Sequence, residues 1–146
     1  MLAALLLLLA GPPAPAAGVP GSQPAEAATP VPDPLPPLGR KFREQRRQIR
    51  MDPSRAKELR KWEGTMHQAM AQIGELVAAR HLTVPEVETL LGAPDEVLKE
   101  GEDHAGKPVP PGETHLAYWW RGGHDSLVFV LRQGVVVSSM WWLAHE

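Results

Sequence analysis

Leu82-Thr83-Val84-Pro85-Glu86-Val87-Glu88-Thr89-Leu90-Leu91-Gly92 reads as a two-turn helix with both ends encoded in its residues. Thr83 and Glu86 stand at capping-box spacing, so each side chain can satisfy the other's backbone N–H. Leu82 and Val87 are placed as a hydrophobic staple across that cap. Gly92 can supply the left-handed residue that closes the helix, and Pro94 prevents its continuation. Val84, Val87, Leu90 and Leu91 form an apolar stripe, and a helix this short is stable only when that stripe is buried against something else.

Two kinds of partner flank it. Upstream, Asp52-Pro53 signals a helix start, because Asp can cap free N–H groups and Pro is tolerated at the first helical position. Leu59, Trp62, Met66, Ala69, Met70, Ile73, Leu76 and Val77 then recur at steps of three and four, which predicts one long amphipathic helix over 53–80. Downstream the period changes to two. Thr114–Trp120, Ser126–Arg132 and Val135–Leu143 are rich in β-branched and aromatic residues at strand length. Gly122-Gly123 is expected to turn the first hairpin, pairing Arg121 with His124 and His115 with Val130. Gln133-Gly134 is expected to turn the second. The middle strand is apolar on both faces. The predicted fold class is an α+β two-layer sandwich, with a long and a short helix on one face of a three-stranded antiparallel meander. The Pro/Gly loop 101–112 between helix and sheet is expected to be exposed and mobile.

Thr83, Glu86, Val87, Leu90, Leu91, Gly92, Pro94 and Asp95, followed by Tyr118, Leu127, Phe129 and Gly134, carry a family pattern. Over 82–142 the chain resembles the small outer-membrane lipoproteins of the BamE (SmpA/OmlA) family and their wider superfamily, which includes a secreted β-lactamase-inhibitor domain. The resemblance implies helices packed on an antiparallel sheet and a non-enzymatic, envelope-located binding module. The chain departs from the family in lacking the lipobox cysteine, so attachment through a lipidated Cys is not expected.

The rest of the 146-residue chain is unlike its C-terminal part. Leu2–Ala10 is an unbroken apolar run, too short to cross a bilayer but of the length of a secretory h-region, with small-x-small sites at Ala14–Ala16 and Ala25–Ala27. No Lys or Arg precedes the run: the start is misassigned or the signal is weak. Ten of the sixteen prolines lie in the first 38 residues. The expected organisation is a signal-like segment 1–17, a disordered tether 18–38, a basic helical extension 39–51 and an α+β domain 52–146. The extracytoplasmic side of a membrane is the expected location. Residues 1–38 are expected to be dispensable for folding.

Charge is polarised. Residues 39–63 carry ten basic and four acidic side chains, and residues 64–146 five basic and eleven acidic ones. Arg43, Arg46, Arg47 and Arg50 are therefore candidates for an anionic membrane surface or an acidic partner. No nucleic acid is expected, because no aromatic platform or zinc-finger spacing accompanies them. The six histidines have no metal-ligand spacing, there is no cysteine, and Ser138-Ser139 lack an activating base in sequence. Neither a catalytic residue nor a bound metal or cofactor is expected. Two tryptophan pairs remain, Trp119-Trp120 and Trp141-Trp142. Adjacent strand residues face opposite ways, so one of each pair belongs to the core and the other to the outside. That outer pair is either a partner site, since Trp is favoured at hot spots, or is covered by the 40–50 helix. The functional expectation is an exported, non-catalytic protein-interaction module with an assembly or scaffold role. The alternative is association with a membrane surface or polyanion through 40–61.

Overall fold

A computed structural model describes residues 32–143 other than 105 and 122–124. The expectations for 1–17, for the tether up to residue 31 and for the Gly122-Gly123 turn lie outside these residues. Four α-helices cover one face of an antiparallel sheet, the two-layer α+β arrangement that the alternating periods require.

Helix α4 spans Val84–Leu91. At its start the Glu86 carboxylate accepts from the Thr83 N–H (2.8 Å) and hydroxyl (2.7 Å). At its end the Gly92 N–H reaches the Glu88 carbonyl at 2.8 Å. Gly92 has φ 82° and ψ −178°, which is not the left-handed helical well but the extended region at positive φ that essentially only glycine enters. Helix α3, Thr65–Ala79, buries Met66, Ala69, Met70, Ile73 and Val77 on the predicted stripe.

The single helix expected over 53–80 is not formed. A 3₁₀ turn at Pro53–Arg55 and the one-turn α2, Ala56–Leu59, precede a break at 60–64. Glu63 sits at φ 56° and Gly64 is extended, where an added Cβ would lie 2.9 Å from the Lys61 carbonyl oxygen. Nor is 39–51 a solvated extension or 32–38 a tether. Helix α1 runs Leu35–Met51 and inserts Leu35, Phe42 and Ile49, seven residues apart, into the core. Its glycine, Gly39, lies so close to α4 that a Cβ there would stand 2.5 Å from Leu90 Cδ1. Asp33 starts this helix by accepting from the Leu35 N–H at 2.9 Å and from both terminal nitrogens of Arg80 at 2.7 Å. That pairing holds its carboxyl down to about 2.

The sheet has four strands in the order β1-β4-β5-β6: Glu96–Lys99, Glu113–Arg121, Asp125–Arg132 and Val135–Trp142. The fourth strand, β1, extends the expected meander at the β4 edge. Asp95 ties it there, its N–H bonding the Ala117 carbonyl and its carboxylate accepting the Trp119 N–H at 2.8 Å. His115 pairs with Val130 as expected, but Arg121 pairs with Asp125 and not with His124, because a bulge intervenes between Trp119 and Arg121. Arg121 Nε is 2.6 Å from the buried Asp125 carboxylate. In the second turn Gln133 and Gly134 both take positive φ (53° and 78°), as a two-residue hairpin loop joining Arg132 to Val135 requires. The described residues of 101–112 are exposed, as expected, except Val109. Strands β2, Asp103–His104, and β3, Lys107–Pro108, form a small ribbon, and Val109 behind it is buried.

Candidate interaction surface

Strand alternation divides the sheet into two faces. Leu116, Tyr118, Trp120, Leu127, Phe129, Leu131 and Val136 join Phe42, Met70 and Val87 in the core beneath the helices. The opposite face is built from three cross-strand rows. His115, Val130 and Ser138 form one, Ala117, Val128 and Met140 the next, and Trp119, Ser126 and Trp142 the third. Trp119 and Trp142 thus flank Ser126 on the sheet's far side, each half-buried, and Met140 beside them is 37% exposed. Helix α1 lies in the other layer, with Phe42 6.1 Å from the Tyr118 ring, and at the β4 edge its Arg46, Ile49 and Arg50 line a cavity of about 140 Å³ together with Trp119. The expected split of the tryptophan pairs is therefore Trp120 and Trp141 inward, Trp119 and Trp142 outward. Trp120 is wholly buried and is corrected from a partner-binding candidate to a core residue.

The ribbon crosses this far face. Lys107 Nζ stands 5.5 Å from the centroid of the Trp142 ring, and a groove of about 340 Å³ runs between ribbon and sheet, walled by Pro108, Pro110, Val130, Met140 and Trp142. At its inner end Glu113 accepts from Arg132 Nη2 at 2.9 Å and lies 3.1 Å from His115 Nε2. The His115 contact, with the Arg132 guanidinium second, holds the Glu113 carboxyl below its ordinary range. An ionised carboxylate only accepts, so Nε2 carries a proton toward it, and Nδ1 is buried without a partner among the described residues. Ser138 is separated from His115 by the intervening Val130, so the two do not form a nucleophile–base pair.

A second aromatic group lies at the edge of the helix layer. His67 is stacked among Trp62, Trp120 and Trp141 at centroid distances of 4.5, 4.7 and 4.8 Å. Burial pushes its imidazole pKa down, against the pull of Glu63. Trp62, in the 60–64 break, is 54% exposed. The sequence placed it on a core stripe, and only the break brings it to the surface.

The arginines of α1 have mostly intramolecular work. Arg43 Nη1 donates to the Thr89 carbonyl at 3.0 Å and to that of Leu90, and Arg46 donates to the Ala93 carbonyl at 3.2 Å while pairing with Asp95. Those carbonyls close α4, where the helix dipole is negative and N–H partners are lacking, so a cation is stabilising there. Arg46 also lies over the Phe42 and Tyr118 rings. Arg47 pairs with Glu44 at 2.8 Å on the exposed side, holding that carboxyl down to about 2. Arg50 is exposed. Two of the four arginines that sequence reading offered to an acidic partner, Arg43 and Arg46, thus hold α1 onto α4. Helix 84–91 ends in unpaired carbonyls, which called for donors, but nothing local said that residues 43 and 46 would supply them.

Among the described residues, no cluster of three or more His, Asp or Glu side chains could hold a metal ion, and no helix is long and apolar enough to cross a membrane. The described residues form an α+β domain whose far sheet face has a buried centre, with Trp119 and Trp142 half-buried and Met140 exposed at its border. No protein-family model, curated protein or solved structure matches the chain.

Proposed function

We propose that this chain is a non-catalytic protein-interaction module that works on the extracytoplasmic side of a membrane and binds its partner with the sheet face bearing Trp119, Met140 and Trp142. The observation that carries the reading is the third cross-strand row, in which two tryptophans bracket Ser126 on the face opposite the helix layer. Large aromatic side chains beside an apolar groove are the composition of an interface core, where Trp and Met are enriched and charge is depleted. The Leu2–Ala10 run supports export, and the resemblance of 82–142 to the BamE family supports a binding role in the envelope. The alternative, charge-driven association through 40–61, is weakened because Arg43 and Arg46 are already bound to α4 and Asp95.

The test is capture of binding partners by the immobilised full chain, at low and at high ionic strength, beside a Trp119→Ala/Trp142→Ala double variant shown by circular dichroism to be folded. A Trp-centred interface survives high salt and is lost in the variant. Capture that vanishes with salt and ignores the double substitution would replace this reading with the electrostatic one.

A further inference from the structure

A cavity of about 520 Å³ lies in the helix layer between the first half of α1 and helix α4, within the size range of small-ligand sites, about 300–1,000 Å³. Leu35, Pro36, Leu82, Pro85 and Leu90 supply its apolar walls. Two exposed arginines one turn apart on α1, Arg40 and Arg43, also line it. Arg43 commits only Nη1, to the carbonyls of Thr89 and Leu90, so its Nε and Nη2 have no partner among the described residues. Arg40 has no hydrogen-bond or ion-pair partner among them at all. The two acidic residues of the lining are, by contrast, engaged. Asp33 accepts from Arg80 and from the Leu35 N–H, and Glu86 accepts from the Thr83 N–H and hydroxyl. With Asp33 offset by Arg80, two positive charges stand against the single negative charge of Glu86.

We propose that this cavity binds a small carboxylate with an alkyl tail, its head held by Arg40 and the free side of Arg43 and its tail lying between α1 and α4. A surplus of one positive charge matches a monoanion, whereas a phosphate dianion would leave a negative charge facing Glu86. The guanidinium fork suits a carboxylate, which it can bind through two parallel hydrogen bonds. The walls favour a tail without polar groups. Both flanking elements are helices, whose backbone groups bond internally, and the Thr89 and Leu90 carbonyls near the end of α4 already accept from Arg43. A peptide segment in the cavity would therefore bury amides without partners, a cost that an alkyl tail does not carry. No aromatic ring lines the cavity, so a flat aromatic body would find nothing to stack on.

The site lies across the sheet from Trp119 and Trp142, so it is independent of the partner-binding reading. Titration calorimetry of the full chain with decanoate, kept below its micellar concentration, is expected to show saturable binding at one site. Acetate keeps the carboxylate without the tail, and decyltrimethylammonium keeps the tail with the opposite charge; each should bind at least about tenfold more weakly. Arg40→Gln should weaken decanoate binding by about threefold to fivefold and Arg40→Glu by at least about tenfold, with the urea midpoint unchanged in both, since Arg40 is exposed and holds nothing in the fold. Methyl NMR of the unmodified chain locates the site without any substitution: decanoate should shift the Leu35, Leu82 and Leu90 methyl signals and leave that of Met140 in place. Absence of saturable binding, an affinity indifferent to Arg40→Glu, decyltrimethylammonium binding as tightly as decanoate, or shifts confined to Met140 would each overturn the proposal. None of these outcomes bears on capture of a partner through Trp119 and Trp142, and loss of that capture would leave the calorimetry standing.

Discussion

Replacing Gly39 by alanine distinguishes a core helix from a solvated one by the sign of its effect. On an exposed helix, Gly→Ala stabilises by up to about 1 kcal/mol, since alanine loses less backbone entropy. In this fold the new Cβ would lie 2.5 Å from Leu90 Cδ1 and 2.7 Å from the Leu90 carbonyl oxygen. The Cδ1 atom can rotate away. The carbonyl cannot, because it belongs to the last turn of α4 and Arg43 is hydrogen-bonded to it. Restoring an ordinary contact requires α1 to retreat by roughly 0.7 Å, which loosens the buried Leu35 and Phe42 on the same helix. Overpacking of this kind costs about 1–3 kcal/mol, which exceeds the propensity gain and leaves a net loss of roughly 1 kcal/mol. With a urea dependence of about 1–3 kcal/mol per molar, the midpoint should fall by roughly 0.5 M. Gly74→Ala is the internal control. Its nearest neighbours, Leu127 Cδ1 at 3.0 Å and Ser139 Oγ at 3.1 Å, are ends of movable side chains, so the midpoint should stay level or rise. Urea titrations followed by tryptophan fluorescence measure both variants. A Gly39→Ala midpoint at or above that of the parent would refute the packing of α1 on α4 and return residues 39–51 to a solvated extension.

Gly92→Val should cost about 1–3 kcal/mol, entirely from backbone strain at φ 82°, since nothing lies within 4 Å of the added Cβ; denaturation at an unchanged urea concentration would mean that α4 does not end there. Asp33, whose carboxyl Arg80 lowers from 3.8 to about 2, should stabilise the fold fully above about pH 4 and progressively less as pH falls toward 2, because the unfolded chain takes up the proton first. Asp33→Asn should therefore be less stable than the parent at neutral pH, with the two urea midpoints converging toward pH 2. Curves that stay parallel over that range would disconnect Asp33 from the anchoring of α1.

Local sequence determined the elements whose signals are local. The Thr83–Glu86 cap, the Gly92 stop, the α3 stripe and the Gln133-Gly134 turn depend on residues within a few positions of each other, and the structure forms each of them. Helix α1 was harder to read. It offers large buried side chains only every second turn, and the glycine that lets it approach α4 acquires meaning only beside Leu90. The break at 60–64 was hidden because Leu59, Trp62 and Met66 keep helical spacing straight across it. Strand β1 is four residues whose place depends on Asp95 reaching the Trp119 N–H, a contact between residues 24 apart in the chain.

The interaction surface shows the same boundary. Alternation by itself requires that one tryptophan of each pair face away from the helices, but which one depends on register. Val136 stands opposite Leu131 on the helix face, and an unbroken strand would carry Ser138, Met140 and Trp142 inward after it. The bulge between Val130 and Leu131 admits Val137 as one extra residue on β6 and reverses the alternation beyond it. Trp141 therefore meets His67 in the helix layer, while Met140 and Trp142 reach the far face. The sequence determined that the far face would hold a tryptophan from each pair. A single unpaired residue, placed by the packing of β6 against α3 and by its tie to Leu82, decided which side chains a partner would meet.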